Sequence, residues 1–147
     1  MIRQRRRLYT AEDEATRPWR WFASPQAAEF WLDAAIKRKW YRKHSPIRHV
    51  KLCYPCKGNM ASGVIEGNVL TINVPAPALH MALLIHELTH PIVGVTKGDK
   101  PEDHERDHGK RFAGALIEAY RHLDCAATAD DLTAEFDERG VQWEEFK

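Results

Sequence analysis

One apolar segment, from Leu79 to Leu88, constrains the fold more than any other part of the chain. Its large apolar side chains fall on nearly every side of a helix: Leu79, Met81, Leu83, Leu84, Ile85 and Leu88. A helix that is apolar all round is a buried helix. His86 and Glu87 interrupt this segment and His90 follows it, and burying such groups without partners costs several kcal/mol. The sequence therefore predicts a buried helix in which these three side chains share a partner.

The spacing of the two histidines indicates what that partner is. Positions 86 and 90 lie one above the other on one helical face, where two imidazoles can bind one zinc ion at about 2.0–2.1 Å. Glu87 is one step round the helix, where it can take a proton from a water whose pKa zinc lowers to about 7. The segment predicts His86 and His90 as zinc ligands and Glu87 as the catalytic base. The alternative is a core helix whose polar groups are satisfied by the protein itself.

A third zinc ligand is expected after this helix, because a catalytic zinc site has three protein ligands and an open position. His104, Glu105 and His108 are the candidates. We favour His108, since it begins a helix whose apolar face fixes its position, whereas the other two lie in a polar loop with few apolar anchors. Asp107 is expected to cap that helix or to orient a ligand.

The two motifs together resemble a known family. His86-Glu87-x-x-His90, followed by His108-Gly109-x-x-Phe112 at the start of a helix, resembles the SprT-like branch of the zincin metallopeptidases. It is closer still to the small metallohydrolases of actinobacteria and their phages. The resemblance covers roughly residues 69–123 and implies a zincin fold, with His108 as the third ligand. It also implies an edge strand before the motif helix, here Val69–Val74, that can pair with an extended peptide.

The rest of the sequence predicts an α+β domain over residues 19–147, with a small, mostly antiparallel sheet of about three strands packed on helices, and the resemblance implies that this domain is zincin-like. The helix 75–90 should begin at Pro75-Ala76-Pro77 and stop or kink at Pro91. Residues 1–18 form a basic, then acidic, N-terminal arm, expected to be a mobile lead-in or a short first strand. Further helices are indicated by a Ser24-Pro25 start, by Thr128–Arg139 before Gly140, and by two apolar stripes: Ala28, Trp31, Leu32, Ala35 and Ile36, then Phe112, Leu116, Ala119, Tyr120 and Leu123.

Charge and composition bear on partners and location. The chain has no apolar run of roughly 18 residues, so no membrane span is expected. Three cysteines do not make a disulfide framework, and a cytoplasmic protein is expected. Residues 1–60 hold 14 Lys and Arg against 5 Asp and Glu, and the remainder holds 8 against 16. This asymmetry can mark a nucleic-acid-binding half, but we favour two parts with complementary charge and a peptide or protein as the partner.

The sequence leaves several assignments open. Cys53 and Cys56 have redox spacing, yet we favour packing or turn cysteines over a redox pair or a second metal site with Cys125. His104 and Tyr120 are candidates for stabilising an oxyanion. The function favoured is zinc-dependent hydrolysis of a peptide or other amide bond. The alternatives are a metallohydrolase of a non-peptide substrate, and a nucleic-acid-binding or regulatory protein that retains a zincin site.

Overall fold

The computed structural model describes residues 3–94 and 107–147, which divide between two compact units. Within these residues the fold is α+β, with six helices and one three-stranded sheet. None of the described helices is long and apolar enough to cross a membrane. In chain order the elements are α1 Gln4–Thr16, α2 Pro25–Lys37, α3 Lys39–His44, β1 His49–Cys53, β2 Ser62–Glu66, β3 Val69–Asn73, α4 Met81–Val93, α5 Lys110–Leu123 and α6 Ala126–Arg139.

The sheet belongs to the unit of residues 19–92 and has the order β1-β3-β2. β3 pairs with β1 in parallel and with β2 antiparallel. The sheet is therefore mixed, and the prediction that it is mostly antiparallel is wrong. Residues 54–61 carry the chain past the position of β3, so that β2 pairs with β3 from the side opposite β1. The prediction of an edge strand at 69–74 is wrong for the same reason, since β3 is central and buries Leu70 and Ile72.

α2 forms as its sequence predicts. Ser24 accepts a hydrogen bond from the backbone N–H of Ala27 at 3.1 Å, and Pro25 occupies the first turn, where its missing N–H costs nothing. The buried side chains follow at three- and four-residue spacing, and the helix packs against β1. They are Ala28, Leu32, Ala35 and Ile36.

α4 differs from the sequence expectation at both ends. It begins at Met81 rather than at Pro75, because the preceding backbone pairs with residues 20–22: Phe22 N–H donates to Leu79 at 3.2 Å and Met81 N–H to Arg20 at 2.9 Å. It also continues through Pro91 to Val93. Proline removes only one helical hydrogen bond donor, and Pro91 is itself buried, so apolar burial opposes a stop at this position.

The other unit contains the described residues 3–18, 93–94 and 107–147, with α1 and α5 both packed on α6. The N-terminal arm is a helix, not a mobile lead-in or a strand. Its face is defined by Leu8, Ala11 and Glu12, which are buried, and Gln4 exchanges two hydrogen bonds with the backbone of Gln142. The two C-terminal helices match their predictions, with Gly140 ending α6 in the left-handed conformation at φ 71°.

Candidate metal centre

α4 places two histidines and a glutamate in a buried position. His86 and His90 are one turn apart, and their ring centroids are 5.2 Å apart with an interplanar angle of 70°. His86 and Glu87 are each 8% exposed. The backbone of this helix is held by a neighbour in the same unit, since the buried Tyr41 hydroxyl of α3 donates to the Leu88 carbonyl at 2.8 Å. The helix therefore presents its polar groups from a fixed support.

The carboxylate of Glu87 lies against a glycine of β2. A Cβ atom added at Gly63 would be 2.9 Å from Glu87 Oε2 and 3.4 Å from Leu70 Cδ1. The first distance is shorter than real Cβ contacts, so any larger residue at position 63 would displace the Glu87 carboxylate. The absence of a side chain here gives the carboxylate its place beside the sheet.

His108 is positioned by aromatic neighbours of its own unit. It is 5% exposed, and its Nε2 is 3.0 Å from the hydroxyl of Tyr9 on α1. The two rings meet edge to face at a centroid distance of 5.1 Å, and Phe112 packs on His108 at 5.0 Å. Gly109, directly after His108, is the N-cap of α5, so the predicted capping role of Asp107 is wrong.

The structure brings the three predicted ligands together. One possible ligand atom from each of His86, His90 and His108 lies within 4.8 Å of the others, so the three are close enough to bind a metal ion. His86 and His108 are buried and His90 is half-buried. Three imidazoles are a donor set that suits zinc and leaves one tetrahedral position open. The competing candidates His104 and Glu105 lie outside the described residues.

Tyr120 has a different environment from the one expected of an oxyanion donor. Its hydroxyl donates to Glu12 Oε2 at 2.6 Å, and both side chains are buried. Burial is the main cause that raises the pKa of Tyr120 above its ordinary value, and the neighbouring Glu12 acts in the same direction. The hydroxyl therefore stays protonated and serves as the hydrogen-bond donor to a buried carboxylate of α1.

Two residues near the predicted site groups were not identified from sequence. Tyr9 belongs to the N-terminal arm, 99 residues before His108, and that arm was expected to be a mobile lead-in or a short first strand. In the sequence, Gly63 is one of several glycines in predicted turns or strands, and nothing distinguishes it from the others. Its importance depends on a contact with Glu87, and that contact follows from the order of the strands.

Comparison with known proteins adds no relative: no family model, curated protein or solved structure matches the chain. The assignment of function therefore rests on the chemistry of the residues themselves.

Proposed function

We propose that this protein is a zinc-dependent hydrolase, most specifically a metallopeptidase of the zincin type. His86, His90 and His108 hold the zinc ion and Glu87 is the catalytic base. The observation that carries the proposal is the group of three histidines within 4.8 Å, two of them flanking a buried glutamate on one helix.

The ligand set supports a catalytic role over a purely structural one. Structural zinc sites have four protein ligands, whereas catalytic sites have three and keep one position for water or substrate. Among the described residues, no fourth histidine, cysteine or acidic group joins the three histidines at metal-binding distance. When bound, zinc supplies Lewis acidity, which lowers the pKa of a coordinated water to about 7 and polarises a carbonyl.

Glu87 supplies the proton transfer. Its side chain starts one residue after His86, so it lies beside the metal ligands without replacing one of them. Burial to 8% exposure keeps bulk water from competing for the carboxylate. Glu87 accepts a proton from the attacking water and then donates it to the leaving nitrogen, so the same carboxylate acts as base and acid.

The sheet supports a peptide as the substrate. Among the described strands, β2 pairs with β3 alone and therefore lies at an edge of the sheet, and four of its five residues are exposed. An extended peptide can add to such an edge through backbone hydrogen bonds. Gly63 of β2 lies next to Glu87, so a peptide bound along this strand would pass the catalytic carboxylate. In this proposal β2 is the peptide-binding edge strand, a role that the resemblance had implied for residues 69–74.

The experiment that tests the proposal separates metal binding from catalysis. Zinc content and hydrolysis of a peptide library are measured for the zinc-loaded protein, for Glu87→Gln and for His86→Ala. We expect one zinc per chain in Glu87→Gln, with turnover reduced at least about 100-fold, and loss of the metal in His86→Ala. Loss of zinc in Glu87→Gln would assign that residue to the ligands, and a wild-type protein that binds no zinc would end the hydrolase proposal.

The third ligand is tested by the same metal titration. His108→Ala should weaken zinc binding far more than His104→Ala or Glu105→Ala, because His108 lies close to the other two histidines among the described residues. The variants at positions 104 and 105 serve as matched controls, since they remove polar groups from the same stretch of sequence. A larger loss of affinity in either control than in His108→Ala would transfer the ligand role to that residue.

A further inference from the structure

Two cysteines at the end of β1 have their sulfur atoms in contact: Cys53 is the last residue of the strand and Cys56 lies in the loop that follows. Cys53 is exposed and Cys56 is half-exposed. The Cys53 thiol donates a hydrogen bond to Cys56 Sγ at 3.4 Å. The proposed hydrolysis uses neither sulfur, so the pair needs an explanation of its own.

The main chain fixes both cysteines to one residue of the neighbouring strand end. The N–H of Val74 donates to the Cys53 carbonyl at 2.9 Å, and the N–H of Cys56 donates to the Val74 carbonyl at 2.9 Å. Val74 is fully buried. Because both cysteines are anchored to the same buried residue, the short distance between their sulfurs is set by the sheet and not by a freely moving loop.

We infer that Cys53 and Cys56 form a dithiol site that closes reversibly to an intramolecular disulfide by exchange with a small disulfide of the glutathione class. The sulfurs must approach by roughly 1.4 Å to reach a disulfide bond length of about 2.05 Å, and their exposure lets the reagent reach them. A thiolate metal site is less well supported, since the three histidines are the one metal-binding group found among the described residues.

The exchange balances as two thiol–disulfide steps. Cys53 donates its S–H to Cys56, which raises the pKa of the Cys53 thiol, and we assign the first attack to Cys56, whose proton passes to solvent. Its thiolate attacks one sulfur of the reagent, forms a mixed disulfide and releases one thiolate. Cys53 then loses its proton, attacks Cys56 Sγ and releases the second thiolate. The protein loses two protons and two electrons, and the reagent becomes two thiols.

Cys125 provides an internal comparison within the same chain. It is exposed, and its Sγ lies 3.3 Å from the Thr128 hydroxyl oxygen. That hydrogen bond lowers the pKa of the Cys125 thiol, so it should react readily with the reagent. Because Cys125 is a single free cysteine, we expect its product to be a mixed disulfide.

The test uses the full-length protein with Cys125→Ser, reduced and then equilibrated with mixtures of reduced and oxidised glutathione. Intact mass is read after rapid acid quenching. We expect a product that has lost the mass of two hydrogen atoms and carries no glutathione, and that dithiothreitol returns to the starting mass. Adding Cys53→Ser should instead trap one glutathione on Cys56, which peptide mapping locates.

Two results would overturn the inference. One is the uptake of two glutathiones by the pair without loss of two hydrogens, which would show two independent thiols. The other is a Cys53–Cys56 pair that stays reduced when only oxidised glutathione is present, although the same reagent modifies Cys125 in the protein that retains it. Melting curves establish that each variant is folded. The decisive measurement comes from the Cys125→Ser protein, in which Cys53 and Cys56 are both intact.

Discussion

At the residue scale, the position of the Glu87 carboxylate depends on a neighbouring residue that has no side chain. Glu87 follows a histidine on α4 and is nearly buried, which would be costly for a carboxylate without partners. The space for its side chain comes from Gly63, where a Cβ atom would approach Oε2 to 2.9 Å. A strand interior is a poor place for glycine on propensity alone, so this glycine is better explained by the close approach of the carboxylate.

Gly63→Ala should lower turnover while leaving zinc binding and folding nearly intact. The added methyl group contacts the far end of a flexible side chain, so Glu87 can move away at small cost in stability, but it then leaves the position in which the proposed mechanism uses it as the base. Turnover, zinc content and melting temperature are measured together. Val64→Ala, at an exposed neighbouring position of β2, is the matched control. Unchanged turnover in Gly63→Ala would mean that the position of the carboxylate is not critical.

Tyr9→Phe should weaken zinc binding by about 10–100-fold, because partners that orient a ligating histidine commonly have effects of this size. The variant keeps the ring that packs on His108 and removes only the hydroxyl 3.0 Å from Nε2. Zinc affinity is measured by competition with a chelator of known affinity. Thr10→Ala is the control, since the Thr10 hydroxyl bonds only to its own helix at Arg6. Equal or tighter binding in Tyr9→Phe would show that the hydroxyl does not orient the ring for the ion.

At the scale of elements, the sequence predicts best where one periodicity is uninterrupted. The stripe from Ala28 to Ile36 and the face from Phe112 to Leu123 each specify a helix and its buried side. The start of α4 differs from its prediction because it depends on residues far away in the sequence. The backbone of residues 79–81 pairs with residues 20–22, and no local sequence pattern reveals this pairing. Likewise, β3 has the alternation of any half-buried strand, and its central place follows from the path of residues 54–61.

The helical nature of the N-terminal arm was missed for a related reason. α1 is mostly polar, and its one buried face is short. It is held by partners more than 100 residues away, including the Tyr120 hydroxyl and the backbone of Gln142. The side chains of His86, Glu87 and His90 could be found from sequence, because the proposed zinc chemistry requires two histidines and a glutamate at a fixed spacing. The residues that support them have no such spacing, and they were found only from the folded chain.

At the scale of the whole molecule, the uneven charge of the sequence does not by itself indicate a nucleic-acid partner. The run from Lys37 to Lys43 exposes its lysines and arginines to solvent while Tyr41 is fully buried. Such a pattern is typical of a solvated helix face with an apolar anchor. Trp19 stacks on His80 with the ring centroids 4.8 Å apart, so one face of its ring is already covered. The peptide substrate stays a proposal that rests on the edge strand β2.

Zinc should stabilise the whole fold, because the ligand nitrogens come together in the native state and not in an unfolded chain. At a free zinc concentration about 1,000 times the dissociation constant, mass action adds about 4 kcal/mol to the free energy of unfolding. For a chain of this length, that corresponds to a rise in melting temperature on the order of 10 °C. The melting temperature is measured with zinc and after chelation. The His86→Ala and His108→Ala proteins should show no such rise, and identical melting of the loaded and chelated wild-type protein would contradict a shared metal at these histidines.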